Sequence, residues 1–121
     1  MRGIFAELSE LMTKKFQLTM AQLNATVGDI SGNCDKVFSA WDEAKEAKSD
    51  MLMLPEMFVT GYQLQDLVVK PSFVQDVTFH INLLAEKCGD GPVIGIGAPF
   101  QDVTGLYNAF YVLAFGAVQN I

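Results

Sequence analysis

Two periodicities of apolar residues run along this chain, and they alternate. In Phe16-Gln17-Leu18-Thr19-Met20-Ala21 large and small residues take turns at the period of two that a strand requires. From Cys34 the spacing changes. Cys34, Val37, Phe38, Trp41 and Ala44 fall on one helical face, while Asp42, Glu43, Lys45 and Glu46 lie mostly outside it. Between them Asn24 to Asn33 read as a loop, with Gly28-Asp29 as the turn and Ser31 or Asn33 as the cap of the helix. Met51-Leu52-Met53-Leu54 is apolar at every position, the pattern of a strand covered on both faces, and Pro55 ends it. A second helix fits residues 72–87, with Phe73, Val77, Ile81, Leu84 and Ala85 inward, broken by Gly89-Asp90-Gly91-Pro92. Val93 to Ala98 predicts a third strand, on which Gly95 and Gly97 point the same way and leave room for another backbone. A turn over Gln101 to Gly105 leads to a fourth strand from Tyr107 to Leu113. Gly116 marks a further hairpin, and Val118 opens another strand. The order β-α-β-α-β-β joins the first strands through helices, which predicts an α/β layered domain with a mixed sheet.

Ahead of this pattern, residues 1–15 form an N-terminal extension. Ile4, Phe5, Leu8, Leu11 and Met12 have helical spacing, and Met12 is a second candidate start. Residues 16–121 are read as one domain.

Composition narrows the function. Half of the 121 residues are apolar and 18% are charged, as in ordinary globular chains. Eight Lys and Arg stand against fourteen Asp and Glu, a formal charge of −6. No basic stripe of the kind that nucleic acid requires is present. No apolar run reaches membrane-spanning length, and Glu7 and Glu10 interrupt the N-terminus where a secretory signal would be apolar. Two cysteines make neither a disulfide framework nor a zinc site, so a cytoplasmic chain with reduced thiols is expected.

Among residues able to do chemistry, Glu56 stands out. It follows an apolar strand and Pro55 and precedes Met57-Phe58-Val59. In α/β sheets catalytic groups gather beyond the carboxyl ends of strands. Apolar surroundings would raise the proton affinity of such a carboxylate and suit it to general-base work. A salt-bridged or solvated strand-end glutamate is the plain alternative. His80 borders the apolar stripe of the second helix and reads as a half-buried structural histidine, since a metal site needs several convergent ligands. Cys34 faces the core and Cys88 sits at a helix end, so both read as packing residues. Gly95-Ile96-Gly97 does not extend into GxGxxG, so no phosphate cradle is expected there.

Several segments, in order, resemble the nitrilase or carbon–nitrogen hydrolase superfamily. They are Ala21-Gln22-Leu23-Asn24 with Gly28-Asp29 and Asn33, then Met53-Leu54-Pro55-Glu56 with Thr60-Gly61-Tyr62, then Leu106-Tyr107-Asn108-Ala109 after Gly91-Pro92-Val93-Ile94-Gly95-Ile96-Gly97. Within it, Thr60-Gly61-Tyr62 followed by Asp66-Leu67 and Lys70-Pro71 is similar to the N-terminal glutaminase domain of glutamine-dependent NAD synthetases. Gln63-Leu64-Gln65 departs from the Pro-rich acidic stretch usual there.

The resemblance implies part of an α-β-β-α sandwich: a mixed sheet with helices on one face. It also implies a Glu–Lys–Cys chemistry. The cysteine attacks the side-chain amide of L-glutamine to form a thioester, the glutamate moves the protons, and the lysine stabilises the oxyanion. Glu56 takes the glutamate's place, and Tyr62 matches the tyrosine after the family's Thr-Gly pair, to be read either as lining the glutamine pocket or as a loop tyrosine packed on the core. The family lysine and cysteine fall after the Tyr107-Asn108-Ala109 strand, beyond Ile121, so residues 16–121 amount to an incomplete domain without glutaminase activity of its own. No cofactor is expected in this segment. ATP and magnesium, with deamido-NAD as the acceptor of ammonia, would belong to a separate C-terminal synthetase domain, and the full-length protein to a homo-oligomer. Another amidase or nitrile hydrolase, or a non-catalytic scaffold, would share the same segments.

Overall fold

The computed structural model describes residues 15–61 and 70–121. It contains β1 (Leu18–Met20), α1 (Ile30–Glu46), β2 (Met51–Met53), α2 (Pro71–Lys87), β3 (Val93–Asp102), β4 (Gly105–Ala114) and β5 (Ala117–Asn120). The strands form one sheet in the order β1-β2-β3-β4-β5. The first three are parallel, and β3-β4 and β4-β5 are antiparallel. The two helices carry the crossovers between the parallel strands, as such connections require.

Both helices pack on one face of the sheet. Val37, Trp41 and Ala44 of α1 and Val77, Ile81 and Leu84 of α2 join Leu52, Ile94, Ile96, Ala98, Tyr111 and Leu113 in a single buried cluster. Register explains the sharing: Leu52 pairs with Ile94, and Ile94 and Ile96 pair with Leu113 and Tyr111. Trp41 anchors α1 to the start of β3, its indole Nε1 donating to the Pro92 carbonyl at 2.9 Å. The lack of a side chain at Gly91 makes this possible, because a Cβ there would sit 2.6 Å from the Trp41 ring.

Three details differ from the sequence pattern. First, α1 begins earlier than a Ser31 or Asn33 cap allows. Asp29 is the N-cap, accepting from the Gly32 amide at 3.0 Å, and Asn33 lies inside the helix, wholly buried. Second, among the described residues β2 is covered on one face. Leu52 and Leu54 are buried against the helices, whereas Met51 and Met53 point to the opposite face and are half-exposed. Third, β3 and β4 run to Asp102 and from Gly105, past the apolar stretch, because pairing continues to Asp102↔Gly105. β1 is correspondingly short, but Ala21 N still donates to the Met53 carbonyl at 3.0 Å.

The face away from the helices carries Leu18 and Met20 of β1, Met51 and Met53 of β2, and Leu106, Phe110 and Val112 of β4. Met20 is 68% exposed. No described helix is long and apolar enough to cross a membrane. The 1–15 extension, all but Lys15, and Tyr62 lie outside the described residues.

Candidate active site

Past Met53 the chain continues the ladder for one more bond, Leu54 N to Gly95 O at 2.9 Å, and then turns at Pro55-Glu56-Met57. The turn folds back over β3 on the face away from the helices. It can do so only because Gly97 has no side chain: a Cβ there would lie 2.3 Å from Met57 N and 2.7 Å from Glu56 Cα. The close backbone approach expected at Gly95 and Gly97 thus occurs at Gly97. Gly95 instead makes room for the side chains of Met51 and Phe110. Met57 takes φ 54°, a left-handed conformation that costs a non-glycine residue roughly 1 kcal/mol. Two hydrogen bonds hold it, Val59 N to Gly97 O at 3.2 Å and Gly61 N to Met57 O at 2.8 Å.

The loop before α1 braces this turn. Gly28 N donates to Thr60 O at 2.9 Å. The Asn33 amide accepts from Thr26 N at 2.8 Å and donates to Thr26 O at 2.8 Å and Val59 O at 2.9 Å. One buried side chain therefore ties three segments together, a role that leaves no trace in periodicity.

Glu56 emerges at the carboxyl end of β2, between two clefts. One, of about 550 Å³, is lined by Met20, Ala21, Gln22, Met53, Leu54, Asn108 and Phe110; the other, of about 430 Å³, by Leu23, Asn24, Val27 and Phe58. The apolar burial expected around Glu56 is not found. The side chain is exposed, and the Asn108 amide Nδ2 donates to its Oε1.

The remaining candidates sit elsewhere. Cys34 and Cys88 are buried and free in the helix layer, on the far side of the sheet from Glu56. Burial pushes the Cys34 thiol up to about 11, with help from Asp35, and the Cys88 thiol up to about 12. Both are neutral packing groups, not nucleophiles at neutral pH. The Nδ1 of His80 lies 2.9 Å from the Asp76 carbonyl oxygen and 3.3 Å from its carboxylate, one turn back along α2. It is half-buried against Phe79. Among the described residues no group of three His, Cys, Asp or Glu could hold a metal ion.

The comparisons with known proteins agree with this architecture. Residues 17–116 match the sequence profile of the carbon-nitrogen hydrolase family. The chain belongs to the carbon-nitrogen hydrolase family. A glutamine-dependent NAD(+) synthetase of Rhodobacter capsulatus is 50% identical over 107 residues, which are 88% of this chain and 19% of that protein. The Aquifex aeolicus glutamine-dependent NAD(+) synthetase is 36% identical over 105 residues, 86% of this chain and 18% of that one. This carbon-nitrogen hydrolase chain therefore spans about a fifth of the length of the curated relatives it matches. Among solved structures, the glutamine-dependent NAD(+) synthetase from Cytophaga hutchinsonii superposes with a TM-score of 0.80 at 27% identity, over 87% of this chain and 18% of that one. An amidase from Nesterenkonia sp. shares the fold, with a TM-score of 0.73 at 19% identity over 87% of this chain and 41% of that one.

Proposed function

We propose that this segment belongs to the glutamine-hydrolysing part of a glutamine-dependent NAD(+) synthetase and that Glu56 is its general base. The observation that carries the reading is the placement of Glu56. A turn made possible by Gly97 projects its carboxylate over a cleft at the carboxyl end of parallel strands. Support for the particular reaction comes from the 50% identity to the Rhodobacter capsulatus synthetase. The amidase likeness concerns the fold and does not choose a substrate.

In this role Glu56 removes the proton of a cysteine thiol as it attacks the glutamine side-chain amide. It then passes that proton to the departing ammonia and activates the water that cleaves the thioester. Cys34 and Cys88 cannot supply the thiol, being sealed in the helix layer. The nucleophile and the oxyanion-stabilising lysine come from chain outside these residues, as do the sites for ATP, magnesium and deamido-NAD. Tyr62 is proposed to line the glutamine pocket. Two free thiols fit work in the reducing cytoplasm.

The test is Glu56→Gln in the protein purified as its own gene encodes it. Glutamine-dependent NAD formation should fall by roughly 10²–10⁴-fold, the span of general acid–base catalysis. Formation from added ammonium should stay within about twofold, because Glu56 takes no part in it. Loss of both activities together, or of neither, would refute the assignment.

A further inference from the structure

The row of β4 that faces away from the helices reads Leu106, Asn108, Phe110 and Val112. Three of its four residues are apolar, and Asn108 is the one polar side chain among them. The register shows where the amide is used. Phe110 pairs with Gly97, over which the Glu56–Met57 backbone crosses, and Asn108 pairs with Pro99, two residues further along β3. A side chain at 108 is therefore the diagonal neighbour of the crossing point, within reach of whatever the turn projects. Asn108 Nδ2 donates to Glu56 Oε1.

Resting on the role proposed for Glu56, we infer that Asn108 is the positioning residue of the general base, its amide holding the carboxylate by Oε1. The two ends of this hydrogen bond differ in rigidity. Glu56 stands on a turn with three rotatable side-chain bonds, whereas Asn108 is shorter and set in a ten-residue strand that pairs there with Pro99 of β3. The strand therefore offers the carboxylate a donor at a fixed place. Asparagine suits the position for a further reason: it donates without bringing a second negative charge to a site where Glu56 must stay ionised to accept a proton. Aspartate would repel, and leucine would fill the space without donating a hydrogen bond.

The experiment compares Asn108→Ala, Asn108→Leu and Asn108→Gln in the natural full-length protein, with Glu56→Gln beside them. Losing a hydrogen bond to a charged group should lower kcat for glutamine hydrolysis about 10- to 100-fold in the Ala and Leu variants. KM for glutamine and the melting temperature should stay close to wild type, because the amide orients the base and does not hold the substrate. The Gln variant keeps an amide donor on a longer arm and should recover part of kcat over Leu. Turnover within threefold of wild type in Ala and Leu would overturn the proposal. So would a rise of KM in step with the loss of kcat, or equal impairment of Leu and Gln. Should Asn108→Ala fail to fold, the similarly sized Leu variant and the Gln variant decide alone. These outcomes are separable from the fate of the proposed function: inactive Glu56→Gln with normal Asn108 variants removes only the inference, whereas fully active Glu56→Gln removes both.

Discussion

Asn33 and Gly97 show how much of the site depends on single residues. Asn33 is wholly buried and makes three hydrogen bonds to the loops before α1 and after β2. Asn33→Ala leaves Val59 O and the two Thr26 backbone groups without their partner. The expected loss of stability is about 2–4 kcal/mol in urea titration, at roughly 1–3 kcal/mol per buried group left unsatisfied, part of it met by water at Thr26. Gly97→Ala forces a methyl group against Met57 N, and neither backbone can yield freely. Overpacking of this kind costs about 1–3 kcal/mol. Glutamine hydrolysis should fall at least tenfold as the turn beneath Glu56 lifts, and wild-type activity with wild-type stability would contradict the crossing described above. Of these residues the sequence made Glu56 and Gly97 visible. Asn33 it misplaced as a cap, and Asn108 it showed only as a member of a family motif. Both asparagines act through contacts across the sheet or between loops, and neither helical nor strand periodicity records such contacts.

At the scale of elements, the two helices and the long hairpin were legible because their apolar faces follow the periods of 3.6 and 2. Their ends were less so. The start of α1 is set by Asp29, whose carboxylate accepts from Gly32 N. Asp29→Ala should cost about 1 kcal/mol, typical of a lost N-cap, and Asp29→Ser should recover most of it. Circular dichroism followed through thermal unfolding distinguishes the two. For α2 the start is Pro71, whose missing N–H costs nothing in the first turn. The ends of β3 and β4 were hidden for another reason. Beyond Ala98 and before Tyr107 the ladder is maintained by backbone pairing between exposed residues, which needs no apolar pattern.

For the whole molecule, the buried thiols and Tyr111 make stability sensitive to alkali. Desolvation raises Cys34 from 9.0 to about 11, Cys88 from 9.0 to about 12 and Tyr111 from 10.0 to about 12. Between those values the unfolded chain has released protons that the folded chain still binds, so stability falls as pH rises. The contribution is intact below about pH 9 and is lost progressively towards about pH 12. Urea midpoints measured from pH 8 to 11 should decline, and Cys88→Ala should flatten the decline; a midpoint independent of pH would contradict it. The sheet face away from the helices gives a second expectation. With Leu18, Met20, Leu106 and Phe110 partly open to solvent, the 121-residue polypeptide by itself should bind an apolar dye and self-associate at micromolar concentration. Leu18→Glu together with Phe110→Glu should reduce both.

By itself the sequence determined the alternation of helix and strand, the mixed α/β class, the glutamate that follows β2 and the glycine that makes room for its turn. These are properties of neighbours along the chain, recorded as periodicity, turn chemistry and the absence of a side chain. Only the tertiary structure decided that, among the described residues, the helices cover one face of β2, that Glu56 meets Asn108 across the sheet, and that Asn33 braces the turn that carries Glu56. Those outcomes depend on which strands become neighbours and in what register, and partners separated by 26 or 52 residues meet only once the sheet has assembled.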